Sequence, residues 1–184
     1  MTGTPDHLTD DAGAVLAESV DERIYFIRSK RWIAYPKALE ILGHLNALLK
    51  HPRTTRMPSL AVYGDSGMGK SMLVEKFKDD YVLSAREKPH GPKAKLLVVE
   101  LAGRPNERRL FAQILAVLGA PLNPRATIVE LERTTVRLLD DLGVQVLVLD
   151  EIHNVLAASW REQRVVFNTL RYLSNELKLS LVCF

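Results

Sequence analysis

The chain has 184 residues, 47% of them apolar and 26% charged, a balance that suits one globular domain with a sizeable core. Its net charge of +3 permits contact with nucleic acid without demanding it, since so small an excess is common on neutral surfaces. The one cysteine, Cys183, excludes an intrachain disulfide and reads as a buried core thiol suited to a reducing cytoplasm, while the lack of a long apolar run or of a basic, apolar leader argues against a membrane span or a signal peptide.

Residues 1–11 are polar and are expected to be mobile. From Ile24 to Ile33 the aromatics Tyr25, Phe26 and Trp32 are interleaved with Arg28, Lys30 and Arg31. Two readings stand side by side there. Aromatics between cations can stack on bases, or, because Ile24, Ile27 and Ile33 share the stretch, the segment forms an apolar edge packed on the domain, the reading favoured by the pattern. Pro36 then opens a helix at its first turn, and Leu39, Ile41, Leu42, Leu45, Leu48 and Leu49 give it an apolar face until His51-Pro52 ends it.

A first strand is predicted over 59–63. It leads into Gly64-Asp65-Ser66-Gly67-Met68-Gly69-Lys70-Ser71, followed by a helical stretch over 72–81 that starts on Met72. This is the G-x-x-x-x-G-K-[ST] phosphate-binding loop in strand-loop-helix context. The glycines let successive N–H groups turn inward on phosphate oxygens at the positive end of the helix. Lys70 is then expected to reach the β- and γ-phosphates of ATP, and Ser71 to ligate Mg²⁺. The alternative is a chance match, which a second motif makes less tenable.

A loop containing Pro89, Gly91 and Pro92 precedes a second strand over 95–101. In the segment 103–109, Arg104, Arg108 and Arg109 are either contacts for the backbone of double-stranded DNA or simply the solvated start of a helix over 107–118. A further helix over 128–142 begins with the capping box Thr127-x-x-Glu130 and stops at Gly143. Then comes Val144-Gln145-Val146-Leu147-Val148-Leu149-Asp150-Glu151, a run that reads as a strand buried on both faces. Ligands of open parallel sheets bind at the carboxyl ends of the strands. Asp150 is thereby expected near the phosphate-binding loop as a Mg²⁺ ligand, directly or through water, and Glu151 as the general base that deprotonates the attacking water. The bland alternative is that both carboxylates merely cap the next loop. A helix over 161–177 and an apolar run over 179–184 complete the chain. Strands alternating with helices predict an α/β sandwich with right-handed crossovers around a parallel sheet, and no Cys/His cluster suggests zinc.

With these residues the chain resembles the AAA+ ATPases, and within them the TniB/TnsC-type regulators of DNA transposition. The resemblance lies in Arg23-Ile24, Arg31-Trp32-Ile33-Ala34-Tyr35-Pro36, Arg56-Met57-Pro58, Gly64 to Ser71, and Asp150-Glu151-Ile152-His153-Asn154. It implies a P-loop NTPase core over 23–184 behind a mobile segment 1–22, with strand order 5-1-4-3-2. The fifth strand and a helical lid are missing, so the chain reads as truncated after the fourth core strand. It also implies a slow ATPase that assembles on DNA as an ATP-dependent oligomer or filament and links a target-selection protein to a DDE transposase in the bacterial cytoplasm, at the nucleoid and not at a membrane. A helicase loader or initiator-like ATPase of replication, or an assembly module that hardly turns ATP over, are the alternatives. In such folds the segment before strand one often lies near the adenine, so Tyr35 is a candidate contact, although a plain helix start explains Tyr35-Pro36 equally well. His153 and Asn154 could polarise the base, touch the next subunit, or serve only as loop hydrogen bonders.

Overall fold

The computed structural model describes residues 8–86 and 95–184, so the predicted loop at Pro89, Gly91 and Pro92 lies outside the described residues. The chain divides into two compact units, Met1–Ile33 and Ala34–Phe184.

In the first unit, a short helix α1 (Asp10–Ala14) and a 3-10 turn (Val15–Ala17) precede α2 (Val20–Arg28). Helix α2 begins where it does because Ser19 and Glu22 form a reciprocal capping box, each satisfying an N–H that the first turn leaves open. No residue of α2 is buried, and Tyr25, Ile27 and Ile33 are largely exposed. Arg31 folds back instead, its guanidinium 4.4 Å from the centre of the Phe26 ring and one N–H donated to the Phe26 carbonyl.

The second unit is a parallel four-stranded sheet between helices. Its elements are α3 (Pro36–Lys50), β1 (Leu60–Ala61), α4 (Lys70–Arg86), β2 (Leu96–Glu100), α5 (Glu107–Val117), α6 (Ile128–Asp141), β3 (Val146–Asp150), α7 (Trp160–Leu177) and β4 (Ser180–Cys183). The strand order is β1-β4-β3-β2, with every pair parallel. That is the order the resemblance implies for its four strands 1-4-3-2. The sheet's two faces are separated by the alternation of side chains along each strand. Leu97, Val99 and Leu101 of the β2 segment and Leu147 and Leu149 of β3 join one core with Leu110, Phe111 and Ile114 of α5, Leu131 and Leu139 of α6, and Val166, Leu170 and Leu173 of α7. Helix α4 packs on β2 and β3, and α3 packs on α4 through a stripe at Ala38, Leu42, Leu45 and Leu48. That stripe is narrower than the sequence suggests, because Leu39 remains half exposed.

Helix ends follow their caps. Thr127–Glu130 and Ser159–Glu162 form full capping boxes, and Asn106 caps α5 by accepting from Arg109 N–H. Two boundaries differ from the sequence expectation. Strand β1 has ladder pairing only at Leu60 and Ala61, opposite Val182 and Cys183 of β4, its one neighbour among the described residues; Tyr63 is 95% exposed. Helix α4 runs over Lys70–Arg86, longer at both ends than the 72–81 expected, whereas α7 stops at Leu177 as expected, its C-cap Lys178 taking the left-handed conformation (φ 52°) usually given to glycine.

Phe111 is wholly buried at the centre of the α5–α7 core. Phe111→Ala is expected to lower the unfolding free energy by about 3–5 kcal/mol through reduced burial and the cavity left behind. In a urea titration the midpoint falls while the slope stays constant.

Candidate functional site

Topology brings the site together. Strand β4 lies between β1 and β3, so the loop leaving β1 and the loop leaving β3 flank its carboxyl end. Val62 N–H donates to Cys183 O (2.8 Å), Phe184 N–H to Leu149 O (2.9 Å), and Ile152 N–H to Phe184 O (2.9 Å), so both loops are hydrogen-bonded to the end of β4. Between them opens a cleft of about 700 Å³, a size that suits a nucleotide-sized ligand. Its walls are Gly64, Ser66, Gly67, Gly69, Lys70, Ser71 and Met72 on one side, Glu151, Ile152 and His153 on the other, with Cys183 and Phe184 at the β4 end.

The loop has the shape its glycines allow. Gly67 and Gly69 have φ of +80° and +83°, a region costly for residues bearing a Cβ. A Cβ built on Gly64, Gly67 or Gly69 meets no atom within 4 Å, so these positions face open space where a phosphate group could approach the backbone. Lys70 opens α4, and its ammonium donates to the carbonyls of Gly64 (2.8 Å) and Asp65 (2.9 Å), arching over the loop. Ser71 lies exposed in the first turn of the same helix. Donors, a hydroxyl and a helix N-terminus together fit a triphosphate with its Mg²⁺.

On the facing loop, Asp150 closes β3, and its Oδ1 accepts from the N–H of Glu151 (2.9 Å). Glu151 itself is left-handed, φ 58° and ψ 36°, a conformation that disfavours a residue with a side chain by roughly 1–2 kcal/mol and often marks a functional turn. The turn is held from several sides. Asn154 N–H bonds Glu151 O (3.0 Å), and the Asn154 amide reaches across to Leu101 O (2.7 Å) at the end of the neighbouring strand. His153 Nδ1 stands 3.1 Å from Glu151 Oε2.

Other sequence candidates are distributed differently. Asp65, Met68, Asp150 and Tyr35 are not among the residues lining the cleft. Tyr35 instead donates its hydroxyl to the Met68 carbonyl (3.3 Å), so it braces the loop's outer side. Arg104, Arg108 and Arg109 are exposed, yet two of them are engaged within the chain. Arg104 pairs with Glu162 (2.7 Å), and Arg108 donates to the carbonyls of Ala126 and Pro124, fastening the approach to α6. The Arg109 guanidinium lies over Gly103, about 3.0 Å from where a Cβ would stand. Sequence reasoning missed Cys183 and Phe184 as wall residues. The signal that could have found them is the strand order, which places the end of β4 between the two motif loops. Among the described residues there is no cluster of three or more His, Cys, Asp or Glu suited to a metal ion, and no helix long and apolar enough to cross a membrane.

The fold and this cleft define a P-loop NTPase of the AAA+ type. The model of the family described as "Bacterial TniB protein" matches residues 23–184, and the chain belongs to that family. Among solved structures it is similar to Cdc6p from Pyrobaculum aerophilum, with 20% identity, a TM-score of 0.59, and coverage of 85% of this chain and 40% of that one. It is also similar to the ORC2 protein of Aeropyrum pernix, solved in ADPNP-ADP complexes, with 16% identity, a TM-score of 0.55, and coverage of 80% and 39%. The chain thus spans about two-fifths of the length of these relatives in fold. No curated protein matches it.

The Arg104–Glu162 pair carries a pH signature. Hydrogen bonds from Ser159, with a smaller contribution from Arg104, hold the Glu162 carboxyl at about 2, below its ordinary 4.5. Because the folded value is depressed, the stabilisation is complete above the unfolded value and disappears as pH falls through about 2. Glu162→Gln should therefore be less stable than the parent at neutral pH. The difference should close between about 4.5 and about 2 in thermal melts across that range.

Proposed function

We propose that the chain is an ATPase that regulates DNA transposition, assembling on double-stranded DNA in its ATP state and linking a target-selection protein to a DDE transposase. The observation that carries the reading is the convergence of the Lys70 loop and the Glu151 turn on one cleft. Membership of the TniB family supports transposition over helicase loading. The ADPNP-ADP complexes of the A. pernix protein supply a precedent for adenine nucleotides on this fold.

Each residue has a defined task in this reading. The backbone of Gly64 to Ser71, including Asp65, Ser66 and Met68, surrounds the phosphates while Met72 carries the loop into α4. Lys70 exchanges its loop carbonyls for β- and γ-phosphate oxygens, and Tyr35 braces the loop from outside through Met68. Ser71 and Asp150 hold Mg²⁺, which when bound offsets the charge of the phosphate oxygens. Glu151 accepts a proton from the attacking water. Turnover is slow and depends on DNA and on the oligomer, which suits a switch whose ATP state holds the assembly together. The protein works in the cytoplasm at the nucleoid. Arg109, with Arg104 and Arg108 beside it, contacts the DNA backbone.

Lys70→Ala is expected to remain folded and to lose ATP–Mg²⁺ binding in a calorimetric titration; retained affinity would remove the phosphate-loop assignment. Glu151→Gln is expected to bind ATP normally and turn it over about 10²–10⁴-fold more slowly. Its DNA-bound assemblies should then outlast those of the parent in electron micrographs taken with duplex DNA. Replacing Arg104, Arg108 and Arg109 together by Ala should weaken DNA binding and flatten its salt dependence by about 0.9 in log–log slope for each phosphate no longer neutralised. An unchanged slope assigns all three to intrachain roles.

A further inference from the structure

We propose that His153 is a positioning residue for the Glu151 carboxylate, a proposal that rests on reading Glu151 as the general base. His153 Nδ1 lies 3.1 Å from Glu151 Oε2. A ring nitrogen without a proton would set its lone pair against those of the carboxylate at that distance. In the positioning role Nδ1 is therefore the nitrogen that carries the proton. Both residues line the cleft beside the Lys70 loop, and the contact engages Oε2, which in this role leaves Oε1 for water.

The surroundings explain why such a tether is useful. Glu151 sits at the head of a 3-10 turn in a left-handed conformation, and its backbone is fastened by Asp150 and Asn154. None of those bonds restrains the carboxylate itself, which is joined to the backbone through flexible methylenes. Among the described contacts, His153 is the group that restrains it. Two residues apart on a tight turn, the pair is preorganised by the same backbone that presents the base. His153 touches neither nucleotide nor water in this role, so its loss should change kcat and leave the KM for ATP in place.

The test uses the full chain with duplex DNA. His153→Ala is expected to lower kcat by about tenfold with unchanged KM. His153→Asn, whose amide nitrogen can stand where Nδ1 stood, should recover most of that activity. Independently of turnover, ¹⁵N NMR of the imidazole rings, assigned by the signal missing in His153→Ala, should find His153 protonated at Nδ1 in the parent and should find that preference abolished in Glu151→Ala. A parental kcat in His153→Ala beside an inactive Glu151→Gln overturns the positioning role alone. Full turnover in Glu151→Gln overturns the base assignment and this proposal with it. A His153 ring protonated only at Nε2, or Asn no better than Ala, also overturns it.

Discussion

The seating of β4 between β1 and β3 is the constraint on which the rest of the site depends. A parallel strand can be inserted there only through the α7 crossover, and once inserted it pairs with β3 along its length and with β1 at its carboxyl end, Val182 and Cys183. The phosphate-binding loop and the Asp150-Glu151 turn are eighty residues apart in the chain and are not carried by adjacent strands. What relates them is the end of β4, where Cys183 O, Phe184 N–H and Phe184 O each accept or donate a bond to one side or the other. Burial reinforces the geometry: Val182 and Phe184 are in the core, and burial pushes the Cys183 thiol above its ordinary value, keeping it protonated and apolar in character.

Around that frame the two loops solve opposite problems. The Lys70 loop is built from glycines that face open space, so its polar groups are the backbone itself and are available to a ligand. The Glu151 turn has no glycine at its left-handed position. It keeps a charged side chain where a small residue would be easier, and the surrounding hydrogen bonds from Asn154 and Ile152 hold the conformation in place. A permissive loop facing a constrained turn suits the proposed role, in which one side admits a large anion and the other aims a single group.

Much of this was legible in the residues. The Gly64 to Ser71 pattern and the apolar run ending in Asp150 are local signals with a physical mechanism, and the capping boxes at Thr127 and Ser159 set helix starts through short-range bonds. The 1-4-3-2 strand order was legible only through resemblance, since nothing in the periodicity of β4 tells which strands it pairs with. Three features lay beyond the reading. Helix α2 was obscured because its aromatics and cations lack a buried face, although Ser19-x-x-Glu22 was present as a start signal. The short ladder of β1, two pairs against Val182 and Cys183, is not announced by its apolar composition. The commitment of Arg108 to the carbonyls of Pro124 and Ala126 depends on a loop sixteen and eighteen residues away, and no charge pattern announces it.

The same inserted strand sets a clock on synthesis. Leu60 pairs with Val182, and Ser59 bonds Leu181 at a separation of 122 residues, so the phosphate-binding loop leaves the ribosome long before the strand that frames it. At about 5–20 residues per second, that interval is about 6–24 s. Throughout it the glycine-rich loop hangs from an apolar strand whose partner among the described residues, β4, has not been made, and contacts of such long range form late because loop closure must precede their reward. The cleft between the two loops therefore forms late among the described elements. Whatever shields Leu60 to Tyr63 in the cell during those seconds determines how many chains reach it.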